Sequence, residues 1–193
     1  GVGPGDEVIC PVNTWIGTIA PAVFLGARPV FCEVDPETLL MEPADFEAKI
    51  SERTACVAPV HLWGNVCDMN RILFIARQHH IPVLEDCSHA HGATYNGRIC
   101  GSLGAAGVWS LQGSKAVSAG EGGVLATDDV EIFERACLCG QVNRMKGVDL
   151  VTSRYEKYQP LGLGMKFRAH PLGIGIASVQ FAKLDLLNAR RKA

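Results

Sequence analysis

Short apolar runs alternate with single amphipathic segments along this chain, and that alternation restricts it to one class of fold. DEVICPV, PVFCEVD, TACVAPVHL and IPVLED are of strand length and apolar on both faces. Between them lie TWIGTIAPAVFLGA, PADFEAKIS and DMNRILFIARQHH, whose spacing predicts helices. In the last of these Asp68 is the expected N-cap, and Met69, Ile72, Leu73, Ile75 and Ala76 form the apolar face. Strands buried on both sides and separated by single helices make parallel crossovers beneath two helical layers. The expected fold is therefore α/β, a three-layer α/β/α arrangement around a mostly parallel sheet. AAGVWSL and GGVLATD have no helix between them, which predicts antiparallel pairing, and DVEIFERACLCG reads as a further helix. From about residue 140 the periodicity weakens into a loop excursion, followed by one helix over PLGIGIASVQFAKLDLLNARRKA.

Composition narrows the function. The 193 residues are 48% hydrophobic and 20% charged with a net charge of −2, enough chain for one substantial core. Near-neutral charge without basic runs gives no electrostatic reason to expect nucleic acid. The apolar runs are broken well short of a membrane span and no signal peptide is read ahead of the first strand, so no membrane partner is expected. Of the eight cysteines, Cys10, Cys32, Cys56, Cys87 and Cys100 stand singly, and Cys137-Leu-Cys139 lacks zinc-knuckle spacing. They read as free thiols packed as small hydrophobes, without a metal site, in a reducing compartment, most simply the cytoplasm.

In an open parallel sheet, ligands gather beyond the carboxyl ends of the strands. Asp86 ends such a strand, where a carboxylate can cap the next helix or face a cationic ring nitrogen and keep a heterocycle protonated. Lys115 follows in SLQGSKAVSAGEGG, a loop of small residues that lets the backbone approach something bulky. An amine desolvated there becomes a neutral nucleophile for a Schiff base, and Ser110 can offer a hydroxyl to a phosphate. A dinucleotide-binding reading fails, because no Gly-x-Gly-x-x-Gly turn follows the first strand.

A strand-terminal acid followed by Ser-x4-Lys in a loop closed by Gly-Glu-Gly-Gly resembles the aspartate-aminotransferase-like superfamily of pyridoxal-phosphate enzymes, fold type I. More narrowly, GPGDEVICPVNTWIGTIAPAVFLGARPVFCEVDPETL, PVHLWGNVCDM, VLEDCSHAHGATYNGRICGSLG and SKAVSAGEGGVLATDD resemble the DegT/DnrJ/EryC1/StrS family of sugar and cyclitol aminotransferases, over nearly the whole chain. The resemblance implies pyridoxal 5'-phosphate as cofactor and a role for each matching residue. Lys115 is the Schiff-base lysine and proton carrier, Asp86 pairs with the pyridine nitrogen and Trp15 stacks on the ring. His89 stands near the phenolic oxygen, and Ser110 contacts the phosphate. It implies ping-pong transfer of an amine from glutamate or glutamine to a keto-sugar or keto-cyclitol. His61, His91 and Trp63 read equally well as structural residues and are left outside the site.

The resemblance also implies departures. The family's phosphate-cradling Ser-Gly-Thr segment lies upstream of GPGDEVI, and its members continue past Ala-Arg-Arg at 189–191 into a small domain. The chain is therefore expected to be incomplete at both ends: 1–140 a partial cofactor-binding large domain, 141–193 a loop excursion and helix leading to a small C-terminal domain. On its own it is expected to bind the cofactor weakly and turn over poorly, because helix-terminal amides ordinarily hold the phosphate. Sugar-aminotransferase relatives often carry Asn-Tyr-Arg where this chain has Lys166-Phe167-Arg168, and that Asn reaches the partner subunit's cofactor phosphate. Lys166 reads either as a replacement point charge or as a surface lysine, the first implying a homodimer. Two other functions compete. A non-catalytic regulator would not need the nucleophile, and a sugar dehydratase of the same family would carry histidine at position 115.

Overall fold

The computed structural model describes residues 1–141 and 150–192; of the loop expected over 142–160, residues 142–149 lie outside them, and Ser153–Tyr158 forms a 3₁₀ helix instead. The first strand, β1 (Glu7–Pro11), is buried along its whole length and pairs in parallel with β2 (Arg28–Cys32) on one side and β3 (Thr54–Val57) on the other. Between β1 and β2 stands α1 (Ala20–Phe24), between β2 and β3 stands α2 (Pro43–Ala48), and after β3 comes α3 (Met69–Gln78). β4 (Leu84–Asp86) joins β3 through backbone bonds from His61 N–H to the Asp86 carbonyl and from Asp86 N–H to the Pro59 carbonyl, at 3.0 and 2.9 Å. A small hairpin, β5 (Thr94–Tyr95) and β6 (Arg98–Ile99), turns on Asn96 and Gly97, both at positive φ. β7 (Ala106–Ser110) runs parallel to β4, and β8 (Gly123–Ala126) antiparallel to β7, as the missing helix between them predicts. The strands thus follow the order β2-β1-β3-β4-β7-β8.

Side-chain alternation explains the layers. Ile9 points into a cluster with Phe46, Met69, Ile72 and Ile75 from α2 and α3, whereas its neighbours Val8 and Cys10 pack with Ile19 and Ala22 at α1. Helices therefore cover the two faces of the sheet. Because the chain steps one way from β1 to β2 and the other way to β3, its crossovers change face beside β1. That reversal opens a crevice at the carboxyl ends of β1, β3 and β4.

α3 begins where expected: the Asp68 carboxylate accepts the Arg71 N–H, and Met69, Ile72, Ile75 and Ala76 are buried. Two expectations need correcting. The helix over TWIGTIAPAVFLGA is a 3₁₀ turn, Ile16–Thr18, followed by the five-residue α1. Pro21 lies in the first turn of α1, where its missing N–H costs nothing, but it cannot continue a helix from upstream. The single helix over 171–193 is α5 (Pro171–Phe181) and α6 (Leu184–Lys192), after α4 (Val130–Gly140). At the break Lys183 N–H bonds Gln180 O, a tighter i−3 turn, and this lets Ala177 and Leu184 enter one cluster with Leu111, Val117 and Ala119. Among the described residues no helix is long and apolar enough to cross a membrane.

One ionic clamp ties the amino ends of β1, β2 and β3. Glu7, 2% exposed, accepts hydrogen bonds from Arg28 at 2.5 Å, Arg53 at 2.9 Å and Ser51 at 2.7 Å. The Arg28 and Ser51 bonds dominate, outweigh burial together with Arg53, and lower the carboxyl from 4.5 to about 2. A depressed folded-state pKa stabilises the fold above the unfolded value and loses that stabilisation as pH falls through the folded one. Urea unfolding of the full-length protein should therefore show stability falling between pH 4.5 and about 2, with Glu7→Gln flattening the fall. An unchanged pH profile in Glu7→Gln would contradict the clamp.

Candidate active site

The crevice at the strand ends is a cleft of about 860 Å³, and Trp15, Asp86, His89, Ser110 and Lys115 all line it. Three strand ends supply them. The turn after β1 carries Thr14, Trp15 and Thr18; the end of β4 carries Asp86, Ser88 and His89; the end of β7 carries Ser110 and the loop to Lys115.

Asp86, 8% exposed, accepts the Thr18 hydroxyl at 2.6 Å on one carboxylate oxygen and the Ser88 N–H at 2.9 Å on the other. Thr18 spends its only hydroxyl proton on Asp86, so the 2.7 Å contact between Thr14 and Thr18 has Thr14 as donor. A hydroxyl chain thus runs from the β1 turn to the acid. It was not read from the sequence, because the turn lay inside an expected helix; the i, i+4 spacing of the threonines was the available signal.

The lysine loop is held by its own side chains. The Gln112 side-chain oxygen accepts the Ser114 N–H at 2.8 Å and the Ser114 hydroxyl at 2.7 Å, and Lys115 N–H reaches the Gln112 carbonyl at 2.9 Å. The Ser110 hydroxyl oxygen accepts Gln112 N–H at 3.3 Å, which leaves its proton free to donate. His91 Nε2 donates to the Ser110 carbonyl at 2.9 Å and so anchors the end of β7. Gly122, at φ +143°, returns the loop to β8 through a conformation L side chains rarely adopt.

His89 Nδ1 is buried without a hydrogen-bond partner. Burial and then the Lys115 charge push the His89 pKa down, with Asp86 acting the other way. An orphaned polar atom beside an amine, an acid and a hydroxyl fits an aromatic cofactor that carries a phenolic oxygen, a ring nitrogen and a phosphate.

Its neighbour acid does something else. Glu85, fully buried, points away from the cleft and accepts the N–H groups of Gly101, Leu103 and Gly104 at 2.8, 2.7 and 2.7 Å. Burial opposes ionisation of Glu85, but His61 and these amides outweigh it and hold the pKa below the usual value. His61 accepts Cys67 N–H at Nδ1, so Nε2 carries the proton toward Glu85 at 3.1 Å. His61, Glu85 and Cys87 stand within 4.8 Å of one another. The first two are already engaged, and burial raises the Cys87 thiol out of the range in which it ligates. All eight cysteines carry free thiols. Lys166 is exposed on a backbone bridge to Gln141 and does not line the cleft, and Trp63, 65% exposed, lies on a neighbouring recess.

The family model of DegT/DnrJ/EryC1/StrS aminotransferases matches residues 1–193. The chain belongs to this family. Family members are pyridoxal-phosphate-dependent, which agrees with the cofactor the cleft fits. One relative, the L-glutamine:scyllo-inosose aminotransferase of Streptomyces griseus, is 48% identical over 136 residues, 70% of this chain and 32% of that protein. A Streptoalloteichus tenebrarius protein is 39% identical over the whole chain and 45% of its own length, and is provisionally named an L-glutamine:3-amino-2,3-dideoxy-scyllo-inosose aminotransferase. The solved structure of DesV from S. venezuelae, in complex with a ketimine intermediate, superposes with a TM-score of 0.86 at 30% identity. That match covers 100% of this chain and 49% of DesV. The chain thus spans less than half the length of these relatives.

Removing the Thr18 hydroxyl tests the chain to Asp86. In the full-length protein, Thr18→Val should weaken pyridoxal-phosphate binding about tenfold or more, since a charge-assisted hydrogen bond contributes ~1.5–3 kcal/mol. Thr18→Ser should restore most of it. Equal loss in both variants in a spectral titration would show that the hydroxyl is not the positioning group.

Proposed function

We propose that this protein transfers an amino group from glutamine or glutamate to the ketone of a cyclitol or sugar, in aminocyclitol or amino-sugar biosynthesis. One observation carries the reading: an acid, an orphaned histidine nitrogen, a hydroxyl and an amine from three strand ends line one cleft. The relatives named for glutamine and scyllo-inosose favour glutamine as donor and a keto-cyclitol as acceptor.

Bound pyridoxal phosphate supplies an aldehyde for the amine and a conjugated ring that accepts the electron pair left when a Cα–H bond breaks. Asp86, its plane set by Thr18 and the Ser88 N–H, would hold positive charge at the ring nitrogen. His89 Nδ1, without a partner of its own, would meet the phenolic oxygen, and the Ser110 hydroxyl has a free proton it could offer the phosphate. Trp15, 78% exposed on the wall of the cleft, would cover the ring and shield it from water. Lys115 is the amine that would bond the cofactor's aldehyde carbon and, when free, would carry the proton between the two carbons of the transfer.

Residues 1–140 form the cofactor-binding large domain, and 141–193 lead to a small domain. The working unit is a homodimer. In support, α5 leaves Leu172, Ile176, Val179 and Phe181 exposed by 52–73%, an apolar surface of the kind assemblies cover. Free, buried thiols support a cytoplasmic location.

The test uses the full-length, pyridoxal-phosphate-loaded protein. L-glutamine should convert the bound cofactor to its amine form, and scyllo-inosose should convert it back. Lys115→Ala should slow both half-reactions by roughly a thousandfold, the scale of losing a general acid–base. Failure of every amino donor to change the cofactor spectrum would overturn the reading.

A further inference from the structure

A second recess, of about 590 Å³, adjoins the cleft and shares Ser88, His89, Ser114 and Lys115 with it as a common wall. Its outer side is built by Asn188 and Arg191 of α6. Two contacts dock that helix on the loop after β4. Asn188 Nδ2 donates to the His91 carbonyl at 2.9 Å, and the helix packs so near Gly92 that a Cβ there would lie 3.1 Å from the Asn188 amide. Arg191 follows Asn188 by three residues and therefore shares its face of the helix, over the recess.

The charge lining this recess has one sign. Lys115 and Arg191 are its basic side chains, His89 and His91 stand between them, and no Asp or Glu is among the lining residues; when Lys115 bonds the cofactor, Arg191 keeps the positive charge. Among the described residues neither Lys115 nor Arg191 forms an ion pair. His91 reports the same field. Burial lowers its pKa first, its bond to the Ser110 carbonyl opposes that, and Lys115, Arg191 and His89 push it down further. A guanidinium on a concave wall that carries no acidic side chain makes a site for an anion. A guanidinium in that position suits a carboxylate, which it can grip through two parallel hydrogen bonds.

We propose that this recess is the carboxylate subsite of the amino donor: Arg191 grips the α-carboxylate, and the donor's amine is thereby presented beside Lys115. The proposal rests on the amino-transfer reading and adds to it the residue that selects an amino acid. It also explains how one cleft accepts two unlike substrates in turn. The donor is held by its charge in the recess, whereas an uncharged keto-cyclitol has no use for Arg191.

The test compares Arg191→Gln and Arg191→Lys with the wild type, in the full-length loaded protein, after melting curves and cofactor absorbance confirm folding and loading. In the half-reactions, Arg191→Gln should raise the apparent Kd for L-glutamine at least about tenfold, with Arg191→Lys between the two and the value for scyllo-inosose unchanged. Calorimetry with glutarate, which carries carboxylates and no amine, should show binding to the wild type and at least about tenfold weaker binding to Arg191→Gln. Unchanged glutamine and glutarate binding in Arg191→Gln would overturn the subsite, as would an effect on scyllo-inosose as large as that on glutamine. If the wild type reacts with no amino acid, the amino-transfer reading fails. The glutarate arm then still decides whether the recess binds carboxylates, and retained binding in Arg191→Gln overturns it.

Discussion

Asp86 is the joint on which the site depends. Its backbone binds β4 to the segment after β3, through the Pro59 carbonyl and the His61 N–H. Its strand pairs with β7 at Val108, and its carboxylate reaches across to Thr18 in the turn after β1. Three strand ends that supply the cleft are thus referred to one residue. A burial of this kind is tolerated because both carboxylate oxygens find donors.

The residue before it shows how a strand sorts chemistry. Successive side chains on a strand point to opposite faces, so Glu85 and Asp86 look in opposite directions. Glu85 turns inward and organises the segment 101–104 by collecting its amides, with His61 behind it. That segment is tight: a Cβ on Gly101 would stand 2.2 Å from the ring of Trp109, which itself lines the cleft. One acid therefore holds the scaffold that supports the other.

Much of this was legible in the sequence, and the exceptions share a cause. Lys115, Asp86, His89, Ser110 and Trp15 stand at strand ends or in a loop of small residues, positions that short-range pattern marks directly, and all line the cleft. The parallel order and the antiparallel β7–β8 pair follow from the presence or absence of a helix between apolar runs. Thr18 was hidden because apolar periodicity runs through Pro21 although a helix cannot. The break between α5 and α6 has no glycine or proline to mark it; it arises because Ala177 and Leu184 pack into one cluster. Asn188 meets the His91 carbonyl 97 residues away in the chain, so the recess depends on docking that no local signal records.

The central claim is that a single amine, that of Lys115, and a single acid, Asp86, serve one flat cofactor between them. Borohydride reduction of the full-length protein loaded with pyridoxal phosphate, followed by peptide mapping, tests it most directly. The account requires one pyridoxyl-modified peptide, carrying Lys115. Modification of a different lysine, or undiminished trapping in Lys115→Ala, would contradict it.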